Sequence, residues 1–206
     1  MSKAPPPNAA LDEETARAEL YGLIAELFYT PVRPTLLSEL RLAPTEAPEP
    51  GGFLEEPWRQ LVGAARECDD ARIASEYNTL FGGVGKPEVF LYGSHYLSGF
   101  LNEKPLAHLR EDLARLGLTR DEATMSDTED HVSYVMEAMR FLVAGPDVAV
   151  SNLTQQAQFF AAHVQTWVPA MCDAIQAHPQ AHFFAALATL TRAFVSVEAQ
   201  GFDLMV

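Results

Sequence analysis

Apolar residues recur every three or four positions along most of the chain, which is the spacing of one buried face of an α-helix. In the first such segment, Leu20, Leu23 and Leu27 follow this spacing. The segments with a helical pattern are residues 12–29, 56–68, 71–81, 105–116, 127–143, 148–172 and 180–200. The pattern predicts an all-α protein, folded as a single globular helical bundle of about eight or nine helices.

Three segments depart from this pattern. Residues 1–10 are rich in proline and alanine and are predicted to form a disordered tail, so the folded domain is expected to span residues 11–206. Residues 82–87 contain three glycines and end in Pro87, which predicts a flexible hinge loop. Residues 88–101 alternate like a strand in part, but no partner strand is visible elsewhere. We therefore expect a loop and a short helix there.

The net charge of −14 and the pI near 4.7 argue against nucleic acid or an anionic membrane as a partner. They favour a positively charged partner instead. Cys68 and Cys172 form no CxxC motif, no apolar signal region follows Met1, and no Arg-Arg pair occurs. The sequence thus predicts a cytoplasmic protein without stable membrane insertion. We expect a monomer, although the hinge loop would also permit a domain-swapped dimer.

The most informative motif is residues 126–131, Ser-Asp-Thr-Glu-Asp-His, directly before a helical segment. Ser126 and Glu129 have the spacing of a capping box. Asp130 and His131 have three interpretations: first-turn structural residues, a catalytic pair, or a recognition site whose carboxylate receives a cationic side chain. The catalytic interpretation requires a nucleophile, and none is evident.

Other catalytic motifs are absent from the sequence. It contains no G-x-S-x-G elbow and no H-E-x-x-H helix. The glycine loop fails as a phosphate-binding loop, because Leu80 and Pro87 stand at positions that the motif reserves for Gly and for Ser or Thr. We therefore expect no enzymatic activity, no cofactor and no metal ion. The tyrosines that flank the loop, Tyr77, Tyr92 and Tyr96, fit a buried core or a peptide groove equally well.

Several motifs, taken in the order in which they occur along the chain, resemble those of the TorD/DmsD/NarJ family of redox-enzyme maturation chaperones. They are Ala16–Tyr21, Tyr77-x-x-Leu80-Phe81, Tyr92-Gly93-Ser94-His95-Tyr96, Glu129-Asp130-His131, the run from Gln158 to Pro169, and the late phenylalanines Phe183, Phe184 and Phe194. Thr128 stands where the family usually has proline, and tyrosine replaces tryptophan at family aromatic positions.

The resemblance implies a TorD-like helical chaperone, not an enzyme. Such proteins bind the twin-arginine signal peptide, or the apo-form, of a molybdopterin-containing oxidoreductase catalytic subunit and hold it until its cofactor is inserted. Asp130 would then pair with an arginine and His131 would line the same cleft. The apolar part of the peptide would be held by the remaining motif residues: Tyr77, Leu80, Phe81, Tyr92, Ser94 and Tyr96. Loss of Asp130 is expected to weaken peptide binding and leave the fold intact.

Two alternatives remain open from the sequence. One is a NarJ-like assembly factor that grips the cytoplasmic body of a molybdoenzyme subunit. The other is a metal-dependent helical enzyme that uses Asp130 and His131.

Overall fold

The computed structural model describes residues 7–29, 32–45, 52–82, 86–120 and 126–204, with side chains from residue 13 onward. These residues contain ten helices and no strand, which confirms the all-α prediction. The helices are α1 (Pro7–Leu27), α2 (Pro34–Leu42), α3 (Glu55–Glu67), α4 (Asp70–Leu80), α5 (Gly93–Ser98), α6 (Lys104–Arg115), α7 (Val132–Ala144), α8 (Leu153–His163), α9 (Val168–Gln176) and α10 (Phe183–Asp203).

The core forms where α1, α3, α7, α9 and α10 bury their apolar faces against one another. Helix α10 packs against α9 and α3, and α1 packs along α7. Helix α10 buries one wide face that runs from Phe183 to Phe202, and Arg192, Ser196 and Gln200 lie on its exposed side. Glu76 of α4 fixes its beginning, because its carboxylate accepts the backbone N–H groups of His182, Phe183 and Phe184. This places α4 beside the start of α10.

The long helix predicted over residues 148–172 is two helices. The backbone leaves the helical path between α8 and α9, and Pro169 lies in the first turn of α9. Proline is tolerated in a first turn but has no N–H for an interior hydrogen bond, so a helix begins there more easily than it continues. Trp167 is buried at this break, and its indole N–H donates to the His163 carbonyl at 2.6 Å.

The structure also differs from the prediction at the start of α1 and in having the additional helix α2. Helix α1 begins at Pro7, so residues 7–10 are helical and the predicted tail boundary at residue 10 is corrected; proline suits a first helical turn, and alanines follow it. Helix α2 was not predicted, because it is only 9 residues long and buries only Leu37 and Leu40. Residues 1–6 of the predicted tail and residues 83–85 of the predicted hinge lie outside the described residues.

Candidate functional site

The segment before α5 meets the segment before α7 through backbone hydrogen bonds. The N–H of Val132 donates to the Leu91 carbonyl at 2.8 Å, and the N–H of Gly93 donates to the Asp130 carbonyl at 2.9 Å. Tyr92 and His131 form an isolated antiparallel bridge. Two motifs that lie far apart in the sequence are thereby joined into one site.

Asp130 lies at the centre of this junction, and its side chain is buried at 3% exposure. One carboxylate oxygen accepts both the backbone N–H of Ser94, at 2.9 Å, and its hydroxyl, at 2.5 Å. The other oxygen accepts the Thr128 hydroxyl at 2.6 Å. Each oxygen is therefore engaged within the chain, and the carboxylate binds α5 to the α7 entrance.

His131 is the N-cap of α7 and is equally buried. Its Nδ1 accepts the backbone N–H of Ser133 at 3.2 Å, which requires that this nitrogen carry no proton. Burial lowers the pKa of His131 to about 4, although the nearby charges of Asp127 and Asp130 oppose the shift. The ring is therefore neutral at physiological pH.

The predicted capping box does not form. Helix α7 begins at Val132 and is capped by His131, so Ser126 lies too far upstream to act as the N-cap. The Ser126 hydroxyl instead donates to Asp127 at 2.9 Å. Glu129 accepts two hydrogen bonds from the Arg110 guanidinium, at 2.9 and 2.8 Å, and thus joins α6 to the α7 entrance.

Three tyrosines surround His131. Its ring centroid lies 5.1 Å from that of Tyr92, 5.7 Å from Tyr134 and 6.4 Å from Tyr29. The Tyr92 hydroxyl donates to Asp127 at 2.5 Å. Burial and this carboxylate both raise the pKa of Tyr92, so the phenol stays protonated. We call Tyr29, Tyr92, Asp127, His131 and Tyr134 the tyrosine cluster.

Sequence reasoning did not single out Tyr29 or Tyr134. A signal existed for Tyr134, because it follows His131 by three positions and so lies on the same helix face. Tyr29 lies just beyond α1, and only the packing of α1 along α7 brings it to His131.

The other predicted peptide-binding residues lie in two places: Tyr77, Leu80 and Phe81 in the core, and Tyr96 on α5. Leu80 is fully buried, Tyr77 is 9% exposed, and Phe81 is half-buried. The rings of Tyr77 and Phe81 pack on Phe184 at 5.6 and 5.1 Å, so this part of the motif belongs to an aromatic core. Tyr77 also interacts with the charge of Asp127 in the tyrosine cluster. Burial contributes most to its raised pKa, and the Asp127 carboxylate raises the pKa further.

Tyr96 lies one turn along α5 and is half-buried. Its hydroxyl donates to the Phe90 carbonyl at 2.8 Å, and its ring stacks on Trp167 at 6.0 Å. A Cβ added to Gly93 would lie 3.0 Å from the same indole, so α5 approaches Trp167 closely. These contacts position Tyr92 and Ser94 rigidly.

A groove of about 440 Å³ lies between the end of α1 and the start of α7. Its lining residues are Ala25, Glu26, Tyr29, Arg33, Ser133, Tyr134 and Glu137. Tyr29 and Tyr134 belong both to this lining and to the tyrosine cluster. We refer to it as the α1–α7 groove.

The part of the chain that the structure describes offers neither a metal site nor a membrane span. No group of three or more His, Cys, Asp or Glu side chains is arranged there to hold a metal ion. None of its helices combines the length and hydropathy needed to cross a bilayer.

The neutral state of His131 predicts a pH-dependent stability. Histidine has an ordinary pKa near 6.5, so between about pH 6.5 and pH 4 the unfolded chain binds a proton that the folded chain excludes. The stabilisation is complete above pH 6.5 and falls as the pH drops, by about 3 kcal/mol in total. Urea unfolding at several pH values measures this loss.

The variant His131→Gln isolates this contribution, because other groups also titrate in the same range. We expect the variant to be less stable than the wild type at pH 7 and to lose less stability on acidification. Equal pH dependence in both proteins would contradict the assignment of a neutral, buried His131.

The structure is an all-α bundle in which two motifs far apart in the sequence meet beside an open groove. The chain belongs to the nitrate reductase delta subunit family, whose model matches residues 51–173. This family includes the TorD and NarJ chaperones, as the motifs indicate. The matched region spans α3 to the middle of α9 and contains the whole Ser94–Asp130 junction.

Curated relatives agree with this assignment. The chain is 26% identical to the chaperone protein TorD of Vibrio cholerae serotype O1 (strain O395) over 211 residues, which cover 92% of this chain and 93% of the relative. It is 24% identical to the chaperone protein TorD of Photobacterium profundum over 175 residues, covering 80% and 78%. The chain is therefore a maturation chaperone and not an enzyme.

Proposed function

We propose that this protein binds the twin-arginine leader, or the apo-form, of a molybdoenzyme catalytic subunit in the cytoplasm. It would hold that subunit back until the cofactor is inserted. The observation that carries the proposal is the tyrosine cluster, which combines aromatic faces with the Asp127 carboxylate and adjoins the α1–α7 groove. Tyrosine faces and carboxylates are the groups that recognise a guanidinium.

The charge of the whole protein supports the same partner. A net charge of −14 attracts a basic peptide over distances near the Debye length and repels nucleic acid and anionic lipid. Apolar surface for the rest of a leader is also present. A groove of about 550 Å³ between α1, α3 and α10 has an apolar lining that includes Leu20, Leu23 and Trp58.

The predicted peptide-binding residues remain part of this proposal in three roles: lining the site, positioning other residues, and forming the core beneath it. Tyr92 is half-buried and would line the site, whereas His131 is buried at 3% exposure and would support the surrounding tyrosine rings. Ser94 and Asp130 position Tyr92 and His131 through hydrogen bonds inside the chain. Tyr96 has a positioning role through its contacts with Phe90 and Trp167. Tyr77, Leu80 and Phe81 contribute mainly through the core beneath the site.

Affinity capture of the tagged protein from its anaerobically grown host, followed by mass spectrometry, tests the proposal. We expect a molybdopterin oxidoreductase subunit that still carries its leader. A titration then compares a fluorescein-labelled peptide, containing two adjacent arginines and an apolar run, with its Lys-Lys counterpart. The Arg-Arg peptide is expected to bind about tenfold more tightly, because the planar guanidinium stacks and donates in pairs.

A second candidate is the assembly factor for the body of a subunit, which the nitrate reductase delta subunit model favours. Capture of a molybdoenzyme subunit without a leader, together with no binding of the Arg-Arg peptide, would support this candidate and overturn the first. Recovery of no oxidoreductase while one is being made would overturn both.

A further inference from the structure

We propose that the α1–α7 groove is the seat of one arginine side chain of the bound peptide, and that the chain's own Arg33 occupies part of this seat when no peptide is bound. The inference rests on the proposed function, because it names the atoms that would read the peptide. It assigns the arginine to the groove and not to the carboxylate of Asp130, which is buried at 3% exposure and held inside the chain by Ser94 and Thr128.

The first observation is the ion pair at the edge of the groove. The Arg33 guanidinium donates to the Glu26 carboxylate at 2.5 Å, and this pairing raises the pKa of Arg33. Both side chains are well exposed, at 65% and 48%. An ion pair in such a setting contributes little stability, so an incoming guanidinium can replace Arg33 on Glu26 at little cost.

The second observation is a buried hydroxyl without a partner. Ser133 lines the groove at 3% exposure, and its Oγ has no hydrogen bond within the described structure. Buried polar groups are nearly always paired, so this unpaired hydroxyl behind the groove wall marks a place where a ligand polar group could bind. The Oγ is closed to solvent, so a guanidinium N–H would donate to it only after a small shift of the wall, while other N–H groups reach the Glu26 carboxylate.

The aromatic walls complete the seat. Tyr29 and Tyr134 both line the groove, with ring centroids 5.8 Å apart and hydroxyls 3.5 Å apart. Guanidinium groups stack on such faces, whereas an ammonium group is compact and strongly hydrated. This geometry favours arginine over lysine.

The charged side chains of the groove favour a cationic ligand. Glu26 and Glu137 both line the groove, and Glu137 is held in place by Arg140 from the next turn of α7. Each carboxylate is paired with an arginine, Glu26 with Arg33 and Glu137 with Arg140, so a free carboxylate becomes available only where an incoming cation replaces Arg33. Arg33, the cation in the lining, is already turned towards Glu26. The ligand class is therefore a planar cation on a peptide.

The test uses the labelled Arg-Arg peptide in anisotropy titrations against the full chain at low and moderate salt. Glu26→Gln is expected to weaken binding about tenfold, because a charge-assisted bond is lost. Ser133→Ala is expected to weaken it about threefold, because one hydrogen bond to an uncharged acceptor is lost. Arg33→Gln is expected to strengthen it about threefold, because the internal competitor is removed.

Glu111→Gln on the exposed face of α6 is the matched control, since it makes the same charge change away from the groove. Its peptide affinity should equal that of the wild type. Circular dichroism and urea unfolding of each variant separate loss of binding from loss of folding.

The possible results distinguish this inference from the proposed function. If the wild type binds the Arg-Arg peptide but Glu26→Gln and Ser133→Ala bind it equally well, the seat lies elsewhere and this inference is overturned while the function stands. If Arg33→Gln binds no more tightly than the wild type, the placeholder role of Arg33 is overturned. If the wild type binds neither peptide, the proposed function itself fails.

Discussion

Replacing Asp130 with alanine is expected to lower the free energy of unfolding by about 3 kcal/mol or more. The substitution leaves the buried N–H and hydroxyl of Ser94 without an acceptor, and each unpaired buried group costs about 1–3 kcal/mol. It also removes the Thr128 contact and leaves a small cavity. Urea unfolding monitored by tryptophan fluorescence measures the loss.

Two variants serve as references for Asp130→Ala. Asp130→Asn keeps an acceptor for Ser94 but loses the charge, so about half of the loss is expected. Asp203→Ala, at the exposed end of α10, should change the stability by less than about 0.5 kcal/mol. An Asp130→Ala protein with wild-type stability but weakened peptide binding would contradict the structural role.

The buried position of Asp130 affects how a peptide-binding defect in an Asp130 variant should be interpreted. From the sequence, Asp130 was expected to contact the peptide and to be dispensable for the fold. The buried carboxylate instead joins α5 to α7, so a lost binding signal in Asp130→Ala would also reflect displacement of Tyr92 and His131. Peptide affinity of such variants is informative only at temperatures where they remain folded.

Replacing Glu198 with alanine is expected to cost about 3–5 kcal/mol of unfolding free energy. Its carboxylate, 6% exposed, accepts two hydrogen bonds from Arg17 at 2.8 and 2.7 Å and a third from the Tyr21 hydroxyl at 2.8 Å. Arg17 is itself only 18% exposed, so the substitution leaves a largely buried charge without its partner. Thermal or urea unfolding measures the cost.

The same helix offers a matched comparison. Arg192 of α10 pairs with Asp173, but both side chains are exposed, at 46% and 60%. Asp173→Ala should therefore cost less than about 1 kcal/mol. Similar losses for Asp173→Ala and Glu198→Ala would show that burial does not set the difference between the two pairs.

The Glu198 interaction also bears on the candidate site. Arg17 and Tyr21 lie on α1, which Glu198 joins to α10, and Arg17 additionally donates to Gln156 of α8 at 3.2 Å. The position of α1 sets where Glu26 and Tyr29 lie against α7. A partial loss of peptide binding in Glu198→Ala, beyond the unfolded fraction, is therefore expected.

Much of the fold could be predicted from local patterns. The spacing of apolar residues predicted α1, α3, α4, α6, α7 and α10, and the lack of a partner strand predicted the short α5. The prediction failed where local signals compete. Ser126 and Glu129 have the spacing of a capping box. In the structure, Glu129 instead accepts hydrogen bonds from Arg110 on α6, and His131 is the N-cap of α7. Local spacing in the sequence indicates neither contact.

The candidate site was only partly predictable for the same reason. The motif pairs Tyr92–Ser94 and Asp130–His131 were assigned to one site, and the structure brings them into contact. Tyr77 had equal support for core and groove, and the packing of Phe184 against it decides for the core. Tyr29, Glu26 and Ser133 gave no sequence signal, because their proximity depends on α1 lying along α7.

The all-α class, the acidic composition, the family and the two motifs that meet at the site could all be inferred from the sequence. These properties follow from composition and from spacing within single helices, where neighbours in the sequence are neighbours in space. Tertiary structure alone decided that Asp130 faces inward to Ser94, that His131 is neutral, and that an acidic, tyrosine-walled groove opens beside it. Burial and long-range hydrogen bonds set a side chain's charge and direction, and both depend on residues far away in the chain.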